Sequence, residues 1–105
     1  MDDSPSLFQV SEIAGIVHFA GEMDGRSTQA IKEGMRQVLD RPSDPVVLDL
    51  AGVSFCDSAG LAALVRLRRL AAPRTVVLRR PSRQVRERLV MTGLDDWYQI
   101  ELGDD

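Results

Sequence analysis

The chain has 105 residues, 44% of them hydrophobic and 28% charged, with a formal net charge of −3. That length holds one domain with a modest core of its own and little room for a large internal cofactor. The acidic balance gives no basis for nucleic-acid binding, and one cysteine, Cys56, excludes an internal disulfide or a CxxC metal pair.

Residues 1–6 read as a disordered lead-in to a domain over residues 7–102. The start is acidic and lacks the basic and apolar regions of a secretory signal. No apolar run is long enough to span a bilayer, so a cytoplasmic protein is expected. Leu7 to Glu12 reads as a strand with Phe8 and Val10 on one face, and Ala14-Gly15 as a hairpin turn. Ile16 to Phe19 is a second strand, which Gly21 should end. Ser27 or Thr28 then caps a helix carrying Ile31, Met35, Val38 and Leu39 at helical spacing, with Gly34 as a weak point.

Pro42 to Pro45 is a loop, and Val46 to Leu50 is the apolar run of a central strand covered on both faces. Ser54 and Asp57 read as turn formers ahead of a helix from about Ser58 to Ala71, stopped by Pro73. Thr75 to Leu78 is a further buried strand, so this stretch is a strand–helix–strand crossover with parallel neighbours. Ser82 caps a third helix that points Val85 and Leu89 inward, and Gly93-Leu94 closes it. Tyr98 to Ile100 is a short last strand, and the end of the chain is acidic and frayed.

The residues offer little to an enzyme. His18 is the one histidine and lies in a strand, with no G-x-S-x-G elbow, P-loop, G-x-G-x-x-G or H-E-x-x-H around it. Metal ligands are few and badly spaced, and no cofactor is expected. Cys56 sits among apolar residues, as a small buried hydrophobe does. The basic stretch from Arg79 to Arg88 reads first as a solvated helix face, with an acidic partner or a lipid as the alternative it could face.

One segment, Ser54 to Leu61, carries a possible switch. Ser58 lies at a helix N-terminus whether it or Asp57 is the cap. Free N–H groups and the positive helix end there accommodate an anion such as a phosphate. Asp57, and Asp24 on a neighbouring loop, would add like charge. Along the helix, Ala63, Leu64, Leu67, Leu70 and Ala71 share a core face at ~100° per residue. A second stripe runs Ser58, Leu61, Ala62, Val65, Arg69, with Leu61 at the core edge and Val65 and Arg69 available to a partner. Serine is also a common plain helix cap, and on residue chemistry alone a plain cap is the default reading of Ser58.

Three blocks resemble the STAS domain family, whose fold is shared by sulfate transporters and anti-sigma factor antagonists. Gly21-Glu22-Met23-Asp24 resembles its G-E-L-D. Val46 to Leu50, continuing to Phe55-Cys56-Asp57-Ser58-Ala59-Gly60-Leu61, resembles its central strand and D-S-x-G-L loop. Val85 to Leu94 resembles its third-helix block ending in G-L. The resemblance implies an α/β fold: a mixed sheet of about five strands with helices packed on it. It implies a non-catalytic bacterial regulator of transcription and stress response, an anti-sigma factor antagonist. Such a protein binds an anti-sigma factor serine kinase of histidine-kinase-like fold and frees the sigma factor. Phosphorylation at Ser58 switches it off, and a metal-dependent serine phosphatase resets it. The contact set this implies is Asp24, Asp57, Ser58, Ala59, Gly60, Leu61, Ala62, Val65 and Arg69. The alternative is a STAS subunit that binds the ATPase of a membrane lipid-transport complex, to which Leu61-Ala62-Ala63-Leu64 is similar. Three features depart from the family pattern. Ala59 replaces a common second serine, Pro73 stands where glycine is usual, and a final helix looks absent.

Overall fold

The computed structural model describes residues 8–103. The expectations for residues 1–6, Leu7 and the acidic pair Asp104-Asp105 lie outside the described residues. The chain forms β1 (Gln9–Ile13), β2 (Ile16–Met23), α1 (Thr28–Leu39), β3 (Val46–Cys56), α2 (Ser58–Ala71), β4 (Val76–Arg79), α3 (Arg83–Met91) and β5 (Gln99–Glu101). Short 3-10 turns at Gly25–Ser27 and Asp95–Trp97 join them.

The strands lie in the order β1-β2-β3-β4-β5. β1 runs antiparallel to β2, and the remaining neighbours are parallel. This is the expected mixed five-strand sheet. Ala14 and Gly15 both have positive φ, 52° and 82°, as a tight hairpin with the twist of its strands requires. Three strand–helix–strand units step the same way across the sheet, and right-handed crossovers therefore place all three helices on one face. Their buried sides meet Val17, Phe19, Leu48, Leu50 and Leu78 in a single core cluster. Phe8 closes its edge, with its ring 4.9 Å from that of Phe19 and nearly perpendicular to it.

Four local expectations are corrected. Gly21 does not end β2: the strand continues to Met23, and Gly21 sits at φ +96° where the register with β3 shifts. β3 likewise runs past Leu50 to Cys56, so Ser54 is a strand residue rather than a turn former. Small residues make this extension possible. A Cβ on Gly52 would stand 2.8 Å from the Cβ of Ala20, so the two strands approach there more closely than larger side chains allow. Leu70 is not in the core but 53% exposed. The other four residues of its predicted face, Ala63, Leu64, Leu67 and Ala71, do pack against the core. At the end of α3, Gly93 has φ +73° and the Leu94 N–H reaches back 2.8 Å to the Leu89 carbonyl, the closing turn that Gly93-Leu94 predicts.

The opposite sheet face bears a polar row. Register aligns Ser11, His18, Asp49, Arg79 and Glu101 across the five strands. Asp49 is fully buried. Its Oδ2 accepts from Nε of Arg80 at 2.9 Å and pairs with Nη2 of the same residue, also at 2.9 Å. Its Oδ1 accepts the Ala51 N–H at 2.9 Å and lies 3.4 Å from His18 Nδ1. A carboxylate in an apolar strand is tolerable only when its lone pairs are met in this way. Arg80 adopts φ +50°, and its N–H donates to the Glu101 carbonyl, which holds the arginine over Asp49. Replacing Asp49 with Ala is expected to lower the unfolding free energy by about 2 kcal/mol, since hydrogen bonds to a charged group are lost while the half-exposed arginine regains water. Urea denaturation measures this, and an unchanged midpoint would remove Asp49 from the stabilising interactions.

Candidate functional site

The site is built where β2, β3 and α2 end or begin together. The Asp57 N–H donates to the Met23 carbonyl at 3.2 Å, joining the end of β3 to the end of β2. Asp57 is also the helix cap: its Oδ1 accepts the N–H groups of Ala59 at 2.8 Å and Gly60 at 3.2 Å. The choice left open between Asp57 and Ser58 is thereby decided. Ser58 is the first helical residue, is exposed, and its hydroxyl has no hydrogen-bond partner among the described residues. Sequence alone could not separate the two, because both are good capping types at adjacent positions.

Asp24 follows Met23 and so lies beside this junction. It caps the turn at Gly25–Ser27, accepting the Arg26 N–H at 2.9 Å and the Arg26 guanidinium at 3.0 Å. The Arg26 side chain holds the Asp24 carboxyl below the usual carboxylate range. The same guanidinium reaches Glu22 at 2.7 Å. Much of the negative charge that Asp24 would bring is therefore matched locally by Arg26.

The remaining predicted residues divide in two. Gly60 and Leu61 are buried, and Leu61 joins the core cluster. Gly60 is pressed against β2: a Cβ there would lie 2.7 Å from the Met23 carbonyl oxygen and 2.7 Å from Cys56 Sγ. Ala59, Ala62, Val65 and Arg69 instead face outward and line a groove between α1 and α2. The α1 side of that groove was not anticipated. Thr28, Ile31, Lys32 and Met35 are spaced as one helical stripe, of which Ile31 and Met35 are buried in the core cluster as their spacing predicts and border the groove only at their edges.

Cys56 is buried beside Gly60, and burial with help from Asp57 pushes its thiol up to about 11. Among the described residues no group of three or more His, Cys, Asp or Glu is placed to hold a metal ion. No helix among them is long and apolar enough to cross a membrane.

The family model described as "Mlab, STAS domain" matches residues 6–103. The chain belongs to the STAS domain family. Solved structures agree with it in fold. An anti-sigma factor antagonist from Mycobacterium paratuberculosis is 25% identical with a TM-score of 0.71, the match covering 90% of this chain and 83% of that one. A candidate anti-sigma factor antagonist from Thermotoga maritima is 20% identical with a TM-score of 0.72, over 91% of this chain and 86% of that one. The anti-sigma factor antagonist SpoIIAA in its unphosphorylated form is 24% identical with a TM-score of 0.62, over 89% and 86%. In this STAS domain the blocks Gly21 to Asp24 and Asp57 to Leu61 are thus neighbours in space, joined through Met23.

Two outcomes test this geometry. Gly60→Ala gains about 1 kcal/mol of helix propensity but meets backbone and sulfur at impossible distances, and overpacking of this kind costs ~1–3 kcal/mol. A net loss of stability in thermal melts is expected; a stabilised variant would refute the close contact. Native Cys56 should react with iodoacetamide at pH 8 at least about tenfold more slowly than in denaturant, because burial both shields the thiol and disfavours the thiolate. Equal rates would show an accessible sulfur.

Proposed function

We propose that this STAS domain is an anti-sigma factor antagonist, binding a serine-kinase anti-sigma factor when Ser58 is unmodified and releasing it when Ser58 carries a phosphate. The observation that carries the reading is the division of labour at the start of α2. Asp57 supplies the cap, so the exposed Ser58 hydroxyl is spared from holding the helix and is open to a kinase. The names of the three structural neighbours support the same role. A metal-dependent serine phosphatase would return the protein to its binding state.

The physics of the switch is local. A phosphate adds about −1.5 to −2 charges at a helix end that tolerates them. The antagonist then stays folded while the surface offered to a partner changes sign. Asp57, half-buried beside Ser58, keeps its charge committed to the Ala59 and Gly60 N–H groups. The new charge is therefore the one that a docked partner meets. Ala59, Ala62, Val65 and Arg69 extend the contact along α2, with Gly60 and Leu61 acting from within by fixing the helix against the sheet.

A second reading keeps the same surface but makes its contact permanent: a STAS subunit binding the ATPase of a membrane lipid-transport complex. The run Leu61-Ala62-Ala63-Leu64 favours it. The two readings part at the chemistry of Ser58. Incubation with a candidate anti-sigma kinase and ATP should add one phosphate by intact mass to the wild type and none to Ser58→Ala. Ser58→Asp should weaken the kinase complex at least tenfold, with Ser58→Ala binding as wild type does. Equal affinity for the two variants, or labelling of Ser58→Ala, would discard the phosphoserine switch.

A further inference from the structure

Beside Ser58, α1 and α2 leave between them a groove of about 450 Å³. Its floor is apolar, made by Ile31 and Met35 of α1 and by Ala59, Ala62 and Val65 of α2. Its rim is cationic, made by Lys32, Arg66 and Arg69. No carboxylate lines it.

Among the described residues most cations elsewhere are paired; on α3, Arg86 and Arg88 are the exceptions, and they do not line this groove. Arg26 is held by Glu22 and Asp24, Arg36 by Glu33, Arg41 by Glu12, Arg79 and Arg80 by Asp49, and Arg83 by Glu87. Arg68 and Arg74 donate to backbone carbonyls. Lys32, Arg66 and Arg69 make no ion pair or side-chain hydrogen bond among the described residues, although the chain as a whole is acidic. Three unpaired cations around one apolar trough in a protein of net charge −3 form a complementary surface for something apolar along its centre and acidic along its edges.

The shape narrows the occupant further. From Ala59 to Arg69 the groove follows ten residues of α2, about 15 Å at ~1.5 Å per residue, or close to three helical turns. Two neighbouring helices, with Ala59, Ala62 and Ala63 of α2 leaving room along the trough, accept a third helix by ridges into grooves. An extended strand would leave its backbone groups unpaired there.

We propose that the groove between α1 and α2 binds an acidic amphipathic helix of the partner protein, with its apolar side on Met35, Ala62 and Val65 and its carboxylates on Lys32, Arg66 and Arg69. This rests on the reading that the Ser58 end of α2 faces a protein partner, and it gives that reading a mechanism. Ala59 marks the end of the groove next to Ser58. A phosphate on Ser58 therefore meets the end of an acidic helix and repels it.

The test uses the whole domain and two synthetic 18-residue peptides stapled as helices. Both carry a leucine and alanine face; one has glutamate and the other lysine on its flanks. In 15N-edited NMR titrations the glutamate peptide should shift the amides of Ile31, Met35, Ala62 and Val65 saturably, and the lysine peptide should not. The triple variant Lys32→Glu, Arg66→Glu, Arg69→Glu should raise the Kd for the glutamate peptide at least tenfold. A neutral set, Lys32→Gln, Arg66→Gln, Arg69→Gln, with an unchanged melting temperature, should fall between. No saturable shift, equal shifts with both peptides, or shifts confined to another surface would overturn the proposal. So would concentration-dependent dimerisation that protects these amides, which would assign the groove to a second copy, or charge-dependent binding of phosphatidylglycerol vesicles in place of the peptide. If the kinase experiment on Ser58 fails and the glutamate peptide still binds, the groove stands and the phosphoserine switch falls. The reverse pair of results leaves the switch and removes the groove.

Discussion

The architecture turns on one close approach, that of the first turn of α2 to the end of β2. Gly60 brings the helix backbone onto the Met23 carbonyl, and Asp57 is hydrogen-bonded to that same carbonyl. A helix start is mobile when its first N–H groups are left to water. Here the cap, the strand end and the glycine contact fix it from three directions. The position of Ser58, the line of the α2 stripe and the depth of the groove beside it all follow from this junction. That explains why a glycine is needed inside a helix, where it would otherwise be a liability.

The sheet separates stability from display. One face carries the helices and the apolar core, while the other carries a polar row anchored by Asp49. Three crossovers in the same direction place every helix on the same side, and two of them, α1 and α2, lie side by side with a trough between them. The trough is thus a consequence of topology, and only its lining is a matter of side-chain choice.

Much of this was legible in the residues. The strand–helix–strand order, the inward Val85 and Leu89 and the Gly93 stop follow from periodicity and turn chemistry, and the structure agrees with them. What was not legible required knowledge of neighbours. Gly21 looks like a strand end until β2 is seen to run on through it at φ +96°, and the need for a small residue at Gly52 shows only when β3 meets Ala20 of β2. Leu70 fits the helical stripe by angle, but the stripe runs past the core before the helix ends. Asp49 did carry a signal, since one acid in an apolar run demands a cation, yet its partner Arg80 is 31 residues away in sequence. The α1 half of the groove was hidden because residues on the floor of a surface trough are as apolar as those in a core.

Placing Asp57, rather than Ser58, at the cap bears on how such a domain changes over evolutionary time. Residue 58 is the exposed first residue of a helix whose end is already closed by its neighbour. Serine, threonine or alanine can occupy it with small effects on folding, because no backbone group depends on its side chain. A lineage can therefore acquire, lose or regain a modifiable hydroxyl there without passing through an unstable intermediate. The scaffold keeps its shape whichever of these side chains stands at residue 58.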